Sequence, residues 1–481
     1  MRRGDSGFYL YAVYRHGPDM AAGGVGETRF VIKGVPGTDL FTHHVVDDQR
    51  KAPYPTSPVK SQVQDATWLL EDGSYYTKYD NSAYLADHHV HGMAGHGVGL
   101  WMIFPSNEWI GGGPFKQELT VHKENTLLAM LVGGHFGAGG LRFADGEPWE
   151  KVYGPVFVYM NNGKSIDAMW DDAKKRAGVE AAKWPYEWLE SKEYPRERGV
   201  VAGSIRLTDG GSTKDAWVIL SPPGEDWTQV LKAYDFWMRA DADGRFKLAK
   251  VRPGKYTLRV IGGDQFEEFH KDDVTVAAGK DTDLGELKWE PIKRGRRLWQ
   301  IGVADRSSHE FKGGDDFCHY DNFLRYTKAF PDDVTFVVGK SKEAEDWGFA
   351  QWSIYSKKPV WTIQFDLPEA QKGKATLTIG FTSANPPNGR TTNLRVTVNG
   401  KDVDVIHLPK TGTAGYRSGS SDSPYHVVYV QFDAGLLTKG GNEITLGHIE
   451  ATPAAERKGG VPGEVMYDAI RLEVDPDARP E

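Results

Sequence analysis

Residues 101–140 read WMIFPSNEWIGGGPFKQELTVHKENTLLAMLVGGHFGAGG, and residues 146–162 read GEPWEKVYGPVFVYMNN. Apolar residues fall in short blocks, Leu127 to Val132 and Val156 to Met160, each bounded by Gly, Pro or Asn. Nothing here sustains a helical period for three turns, so the blocks predict half-buried strands that meet turns. Gly133-Gly134-His135 closes one block. The glycines let the backbone kink or a ligand come close, and the imidazole follows at the strand end. A histidine there either takes part in chemistry or caps the sheet; read alone, the cap is the simpler reading.

Outward from this stretch, GFYLYAVYRH, ETRFVIKG and VGLWMIF extend the run of strands back to Ser6. Residues 165–191, SIDAMWDDAKKRAGVEAAKWPYEWLES, predict a helix with a stripe of Asp167, Trp170, Ala173 and Ala177, stopped at Pro185. It is expected to lead out of a first unit rich in strands, spanning 1–195. Residues 196–291 hold alternating strands at hairpin spacing, with Asp243-Gly244 marking one turn. About seven strands in so short a span predict a small immunoglobulin- or fibronectin-type sandwich. No charged constellation stands out in it, so a spacer is expected. Beyond the basic connector PIKRGRRLWQIG, residues 292–481 carry ATLTIGFTSA, NLRVTVNG, YHVVYVQF, NEITLGHI and VMYDAIRLEV. The last strand alternates Val465, Tyr467 and Ala469 against Met466, Asp468 and Ile470, as in a jelly roll. The fold class expected is mainly β, in three domains.

Composition narrows the partners. A chain of 481 residues is too long for one core. Its 15 Trp, 21 Tyr and 21 Phe beside 56 Gly and 26 Pro suit β-rich domains and aromatic platforms for sugar rings. A net charge of −8 gives no global basic field for nucleic acid, so an anionic substrate must be met by local cations. The single cysteine, Cys318, excludes an intramolecular disulfide. No apolar run approaches the roughly 20 residues of a membrane span. The opening MRRGDSGFYLYAVYRHG lacks the apolar core and cleavage site of a signal peptide.

Three groups of residues are candidates for chemistry. His88, His89, His91 and His96 crowd DHHVHGMAGHG, with His43-His44 upstream. On a strand, His89 and His91 would share a face and offer two metal ligands. No third ligand stands at a recognisable spacing, so hydrogen-bonding histidines are the expectation and a zinc site the alternative. Asp315, Asp316 and Asp321 in GGDDFCHYDN suggest a structural calcium site, with fewer carboxylates than an EF-hand loop uses. The third group is Arg29 in GETRFVIK, Lys78 in SYYTKYDNSAY and His135 in MLVGGHFG. All three sit in polar breaks beside strands, where a cleft places its working residues.

Several stretches, in order along nearly the whole chain, resemble rhamnogalacturonan lyases of polysaccharide lyase family 4. They are GDSGFYLYAVYRH, GETRFVIK, VVDDQRKAPYP, Lys78-Tyr79 with His91-Gly92, NEWIGGGPFKQELT, GEPWEKVYGPVFVYMN, GRRLWQIGVADRSSHEF and VMYDAIRLE. The resemblance implies a β-sandwich catalytic domain, a fibronectin type III-like domain and a carbohydrate-binding-like jelly roll. It also implies that the catalytic sandwich is only partial here, with further strands and a secretion signal on its N-terminal side. The substrate implied is the pectin backbone of alternating rhamnose and galacturonate, cleaved by β-elimination to leave an unsaturated galacturonate. Carried over residue by residue, the catalytic lysine falls at Lys78, the catalytic histidine at His135, and substrate-binding arginines at Arg29 and, in AGYRSG, Arg417. Leu128 and Met130 stand where some members carry aromatic residues. Removing H5 of a galacturonate builds charge beside a carboxylate, which a guanidinium can neutralise by a bidentate contact. A lysine serves as base only when neutral, from an ordinary pKa of ~10.4, so nearby cations and burial must bring it down. A metal-independent, monomeric and secreted enzyme is expected, without nucleic-acid or membrane partners. Two alternatives remain: a non-catalytic pectin-binding protein on the same scaffold, and a metal-dependent glycan hydrolase using His88 to His96.

Overall fold

The computed structural model describes residues 4–34, 40–64, 66–123, 125–133, 135–136, 140–224, 226–229, 231–315, 325, 328–353, 357–386, 391–411, 425–451 and 463–479. Arg417, Asp316, Asp321 and Cys318 lie outside them. Two compact units are present. One comprises residues 1–206, 212–260 and 269–289, the other residues 207–211, 261–268 and 290–481.

The strand blocks of the opening stretch form the centre of the first unit. Val98–Ile103 pairs antiparallel with Val90–Gly95 on one side and Trp149–Asn162 on the other. Gly7–His16, His43–Val45 and Lys51–Pro53 complete a six-stranded sheet. Thr126–Val132 lies in a separate three-stranded sheet between Val121–Lys123 and Thr28–Lys33. Strand alternation divides their side chains cleanly. Leu100, Met102, Val156 and Val158 pack with Leu127, Ala129 and Leu131 of the smaller sheet. Trp101, Ile103 and Phe157 turn the other way, onto Met169, Trp170, Ala173 and Ala177 of the helix Ile166–Lys183. Both faces of the central strands are therefore covered, which is why they read as unbroken apolar blocks rather than as alternation.

The helix is set by local chemistry. Ser165 Oγ accepts the Ala168 N–H at 3.1 Å, and Pro185, which has no N–H to continue the ladder, follows Trp184 at the end. The sequence expectation needs correcting here in one respect. The buried stripe is Met169, Trp170, Ala173, Ala177 and Glu180, without Asp167, and it packs on the sheet. Glu180 tolerates full burial because Tyr9 and Tyr186 donate their hydroxyls at 2.9 and 2.6 Å, and Arg176 approaches to 2.8 Å.

Strands between Gly199 and Trp289 form one sheet of three and one of four, a small two-sheet sandwich. Gly244, with φ 73°, makes the expected turn after Asp243. Arg198 and Arg252 reach the buried Glu108 at 2.6 and 3.4 Å, a charge cluster that separate readings of its three sequence neighbourhoods do not reveal.

In the second unit, Gly463–Asp475 pairs with Arg296–Gly302, Lys374–Asn385 and Ala350–Ser353, opposite a five-stranded sheet. The alternation read for its last strand does not separate core from solvent: every residue from Gly463 to Val474 is buried. Trp347, Trp361, Phe381 and Tyr467 fill one side. On the other, Asp468 Oδ1 accepts the Asp305 and Arg306 N–H groups at 3.1 and 2.9 Å. No described helix is long and apolar enough to cross a membrane.

Candidate active site

The smaller sheet of the first unit carries the site on the face turned away from the main core. Arg29 lies opposite Met130 in the register of Thr28–Lys33 against Thr126–Val132, so the two side chains share a face. Leu128 and Met130 on that face pack with Tyr79, Leu119 and Phe136 into a small buried cluster. They floor the site, and their burial leaves no ring-sized surface for sugar stacking at these positions.

Onto this floor folds a short 3-10 turn, Lys78–Asn81, which continues the strand Tyr75–Thr77. Thr77 Oγ1 accepts the Tyr79 N–H at 3.3 Å, and Ser82 Oγ donates to Tyr79 O at 3.0 Å. Thr120 Oγ1 donates to Asn81 O. These local bonds hold Lys78 where it is 2 % exposed, with Nζ 5.1 Å from the Tyr79 ring centroid. His135 follows the end of Thr126–Val132 and brings Nε2 to 3.2 Å from Lys78 Nζ. Arg29, Lys78 and His135 thus come from three separate segments and meet at one end of one sheet.

A fourth group links them. Glu27, just ahead of the Thr28–Lys33 strand, places Oε1 2.5 Å from Arg29 Nη1 and Oε2 3.4 Å from His135 Nε2. The row Arg29, Glu27, His135, Lys78 runs from side chains about a third exposed to one that is buried. Behind it, Lys116 and Glu118 form a buried pair, Nζ to Oε1 3.6 Å. Burial pushes the Glu118 carboxyl up, Lys116 opposes that, and the charge of Glu27 adds to it. A Cβ on Gly133 would stand 2.9 Å from Glu118 Oε2, so the residue before the Gly134-His135 step has to be small.

Family models for polysaccharide lyase family 4 match two parts of the chain, domain II at residues 198–284 and domain III at residues 297–472. A rhamnogalacturonate lyase of Dickeya dadantii is 36% identical over 86% of this chain and 67% of its own length. A probable rhamnogalacturonate lyase B of Aspergillus fumigatus is 29% identical over 92% of this chain and 76% of its own. The chain belongs to polysaccharide lyase family 4. At its small sheet this family member brings together a guanidinium, a carboxylate, an imidazole and an amine.

The histidine-rich stretch is arranged otherwise in this family member. His91 bonds to His88 through Nδ1 at 2.8 Å and to Leu128 O through Nε2 at 2.7 Å, which occupies both nitrogens. His89 precedes the strand Val90–Gly95, is exposed, and shares no strand face with His91. His96 sits in the turn after it with φ 46°. His44 is buried against Tyr54 and Tyr76. Burial holds His91 down at about 4 and His44 at about 3. Among the described residues, no group of three or more His, Cys, Asp or Glu is placed to hold a metal ion, Asp315 included.

Sequence reasoning named Arg29, Lys78 and His135 and missed Glu27, Lys116 and Glu118. One signal was available: Glu27 and Arg29 stand two apart beside a strand, the spacing that puts a carboxylate and a guanidinium on one face.

Proposed function

We propose that this chain is a rhamnogalacturonan endolyase that opens the rhamnose–galacturonate backbone of pectin by β-elimination. The observation that carries the reading is the contact row Arg29, Glu27, His135, Lys78, assembled from distant segments of a family 4 chain. Arg29, partly exposed, receives the uronate carboxylate and quiets its charge, which lowers the cost of electron density developing at C5. The Lys78 amine takes the C5 proton. The C5–H electron pair becomes the C4–C5 double bond, the C4–O4 bond breaks, and O4 leaves with the rhamnose end. A proton reaches O4 from His135, whose Nε2 stands 3.2 Å from Lys78 Nζ, so amine and imidazole can hand one proton between them. Water is not consumed, and the new non-reducing end is an unsaturated galacturonate. Secretion, a monomeric state and the division into domains at 195 and 291 belong to the same reading, as does independence from a metal.

The test is the ultraviolet absorbance of the conjugated product. Purified protein acting on rhamnogalacturonan should raise it, and should not do so on unsubstituted neutral galactan. Binding without any rise would instead establish the pectin-binding alternative.

A further inference from the structure

The carboxylate of Glu27 has no part in the elimination just described, yet it touches two of the groups that carry it out. Oε1 lies 2.5 Å from the Arg29 guanidinium and Oε2 3.4 Å from His135 Nε2. The first is the partner of the uronate carboxylate in the reading above, and the second is the imidazole that must face O4. Glu27 is about a third exposed, so it is not locked in the core and can swing into water. Lys116 and Glu118, by contrast, are buried and cannot exchange places with a ligand.

We propose that Glu27 is a built-in competitor for the substrate's carboxylate, and that a uronate enters by displacing it from Arg29 and His135. This inference rests on the reading of Arg29 as the uronate partner. Its physical content is an exchange of one charge-assisted contact for another. A free carboxylate repays the lost ion pair, because it takes over the contact to Arg29, and the departure of Glu27 leaves His135 free to face O4. An esterified uronate or a neutral hexose cannot repay it, so displacement selects free uronate over its methyl ester without any contact to the ester itself. While no uronate is engaged, Glu27 keeps the guanidinium aimed at the site, which reduces the ordering cost when substrate arrives.

The experiment uses the full chain carrying Lys78→Ala, so that no turnover disturbs binding, and titrates it with galacturonate, its methyl ester and galactose by calorimetry. Adding Glu27→Gln should tighten galacturonate binding about five- to tenfold and leave galactose unchanged. Glu27→Asp keeps the charge but shortens the reach, and should also tighten it. If Asp behaves as Glu does while Gln tightens binding, a general charge effect is at work and the displacement idea is overturned. Unchanged or weaker galacturonate binding in Glu27→Gln overturns it as well. Adding Arg29→Ala separates the two levels. If Arg29→Ala leaves galacturonate binding intact, the role of Arg29 itself is wrong; if it abolishes binding while Glu27→Gln has no effect, only the role of Glu27 is wrong.

Discussion

His135 and His91 are both imidazoles of the first unit, one just past a strand end and one inside a strand, and their surroundings are opposite. His91 lies within a strand, wholly buried, with one nitrogen on His88 and the other on a backbone carbonyl. His135 follows a strand end, is 12 % exposed, and points Nε2 at an amine and a carboxylate. The first is a structural hydrogen-bonding group held neutral by burial. The second faces groups that can give or take its proton. Crowding of histidines in a sequence therefore says little about chemistry; what each ring nitrogen faces decides it. The lone histidine after two glycines is the candidate for chemistry, and His91, from the crowded group, is a structural part of the sheet.

The sharpest way to break that contrast is Lys78→Ala, which removes the amine that His135 faces. Product absorbance on rhamnogalacturonan should fall by about 10²–10⁴, the range for loss of a general base, with the melting temperature little changed. Full activity would show that the two nitrogens meet for structural reasons only, as His88 and His91 do.

The buried side of the contrast predicts a pH effect on stability. His91 is held at about 4 against an ordinary value near 6.5, so between those limits the unfolded chain binds more protons than the folded one. Stability should therefore fall as pH drops from about 6.5 to about 4, by on the order of 3 kcal/mol for this group, and level off below that. His44 adds to the same trend down to about 3. Chemical denaturation across this window should show it, and His91→Gln should make the slope shallower. A slope unaffected by that change would mean that His91 is not the neutral buried group described.

Much of this was readable in the sequence, and the unread part has a common cause. Blocks such as Leu127 to Val132 and Val156 to Met160 announced strands because Gly, Pro and Asn bound them, and Ser165 and Pro185 framed the helix. What could not be read was which partner covers each face. Leu128 and Met130 are buried under the Lys78 turn, and Leu127 and Leu131 against the larger sheet, although nothing in the block distinguishes them. Glu180 falls on the buried helix stripe because Tyr9 and Tyr186 supply hydroxyls from well outside the helical pattern. Arg29 and His135 were singled out in polar breaks beside strands, and their roles came from family resemblance, but their meeting depends on the register of Arg29 against Met130, a property of pairing and not of either strand alone. Glu27 is the exception, since its spacing from Arg29 was local and could have been used.

The smallest expected effect tests how His135 is held in its contrasting role. A Cβ on Gly133 would lie 2.9 Å from both Glu118 Oε2 and Met130 Cε. The Met130 methyl is the end of a flexible chain and can give way, but Glu118 is paired with Lys116 in the interior and has little room to retreat. Gly133→Ala should then push the turn outward by a few tenths of an ångström and carry the imidazole with it. Misplacement by a full 1 Å can cost about 10²-fold, so a smaller shift should lower kcat by about tenfold, with overpacking costing roughly 1–3 kcal/mol of stability. Because the Leu128 carbonyl that His91 meets lies well inside the strand, five residues before Gly133, the pH slope of stability should not move. Wild-type kcat in Gly133→Ala would show that the packing of Glu118 under this turn does not position His135, and that the glycine serves some other need of the strand end.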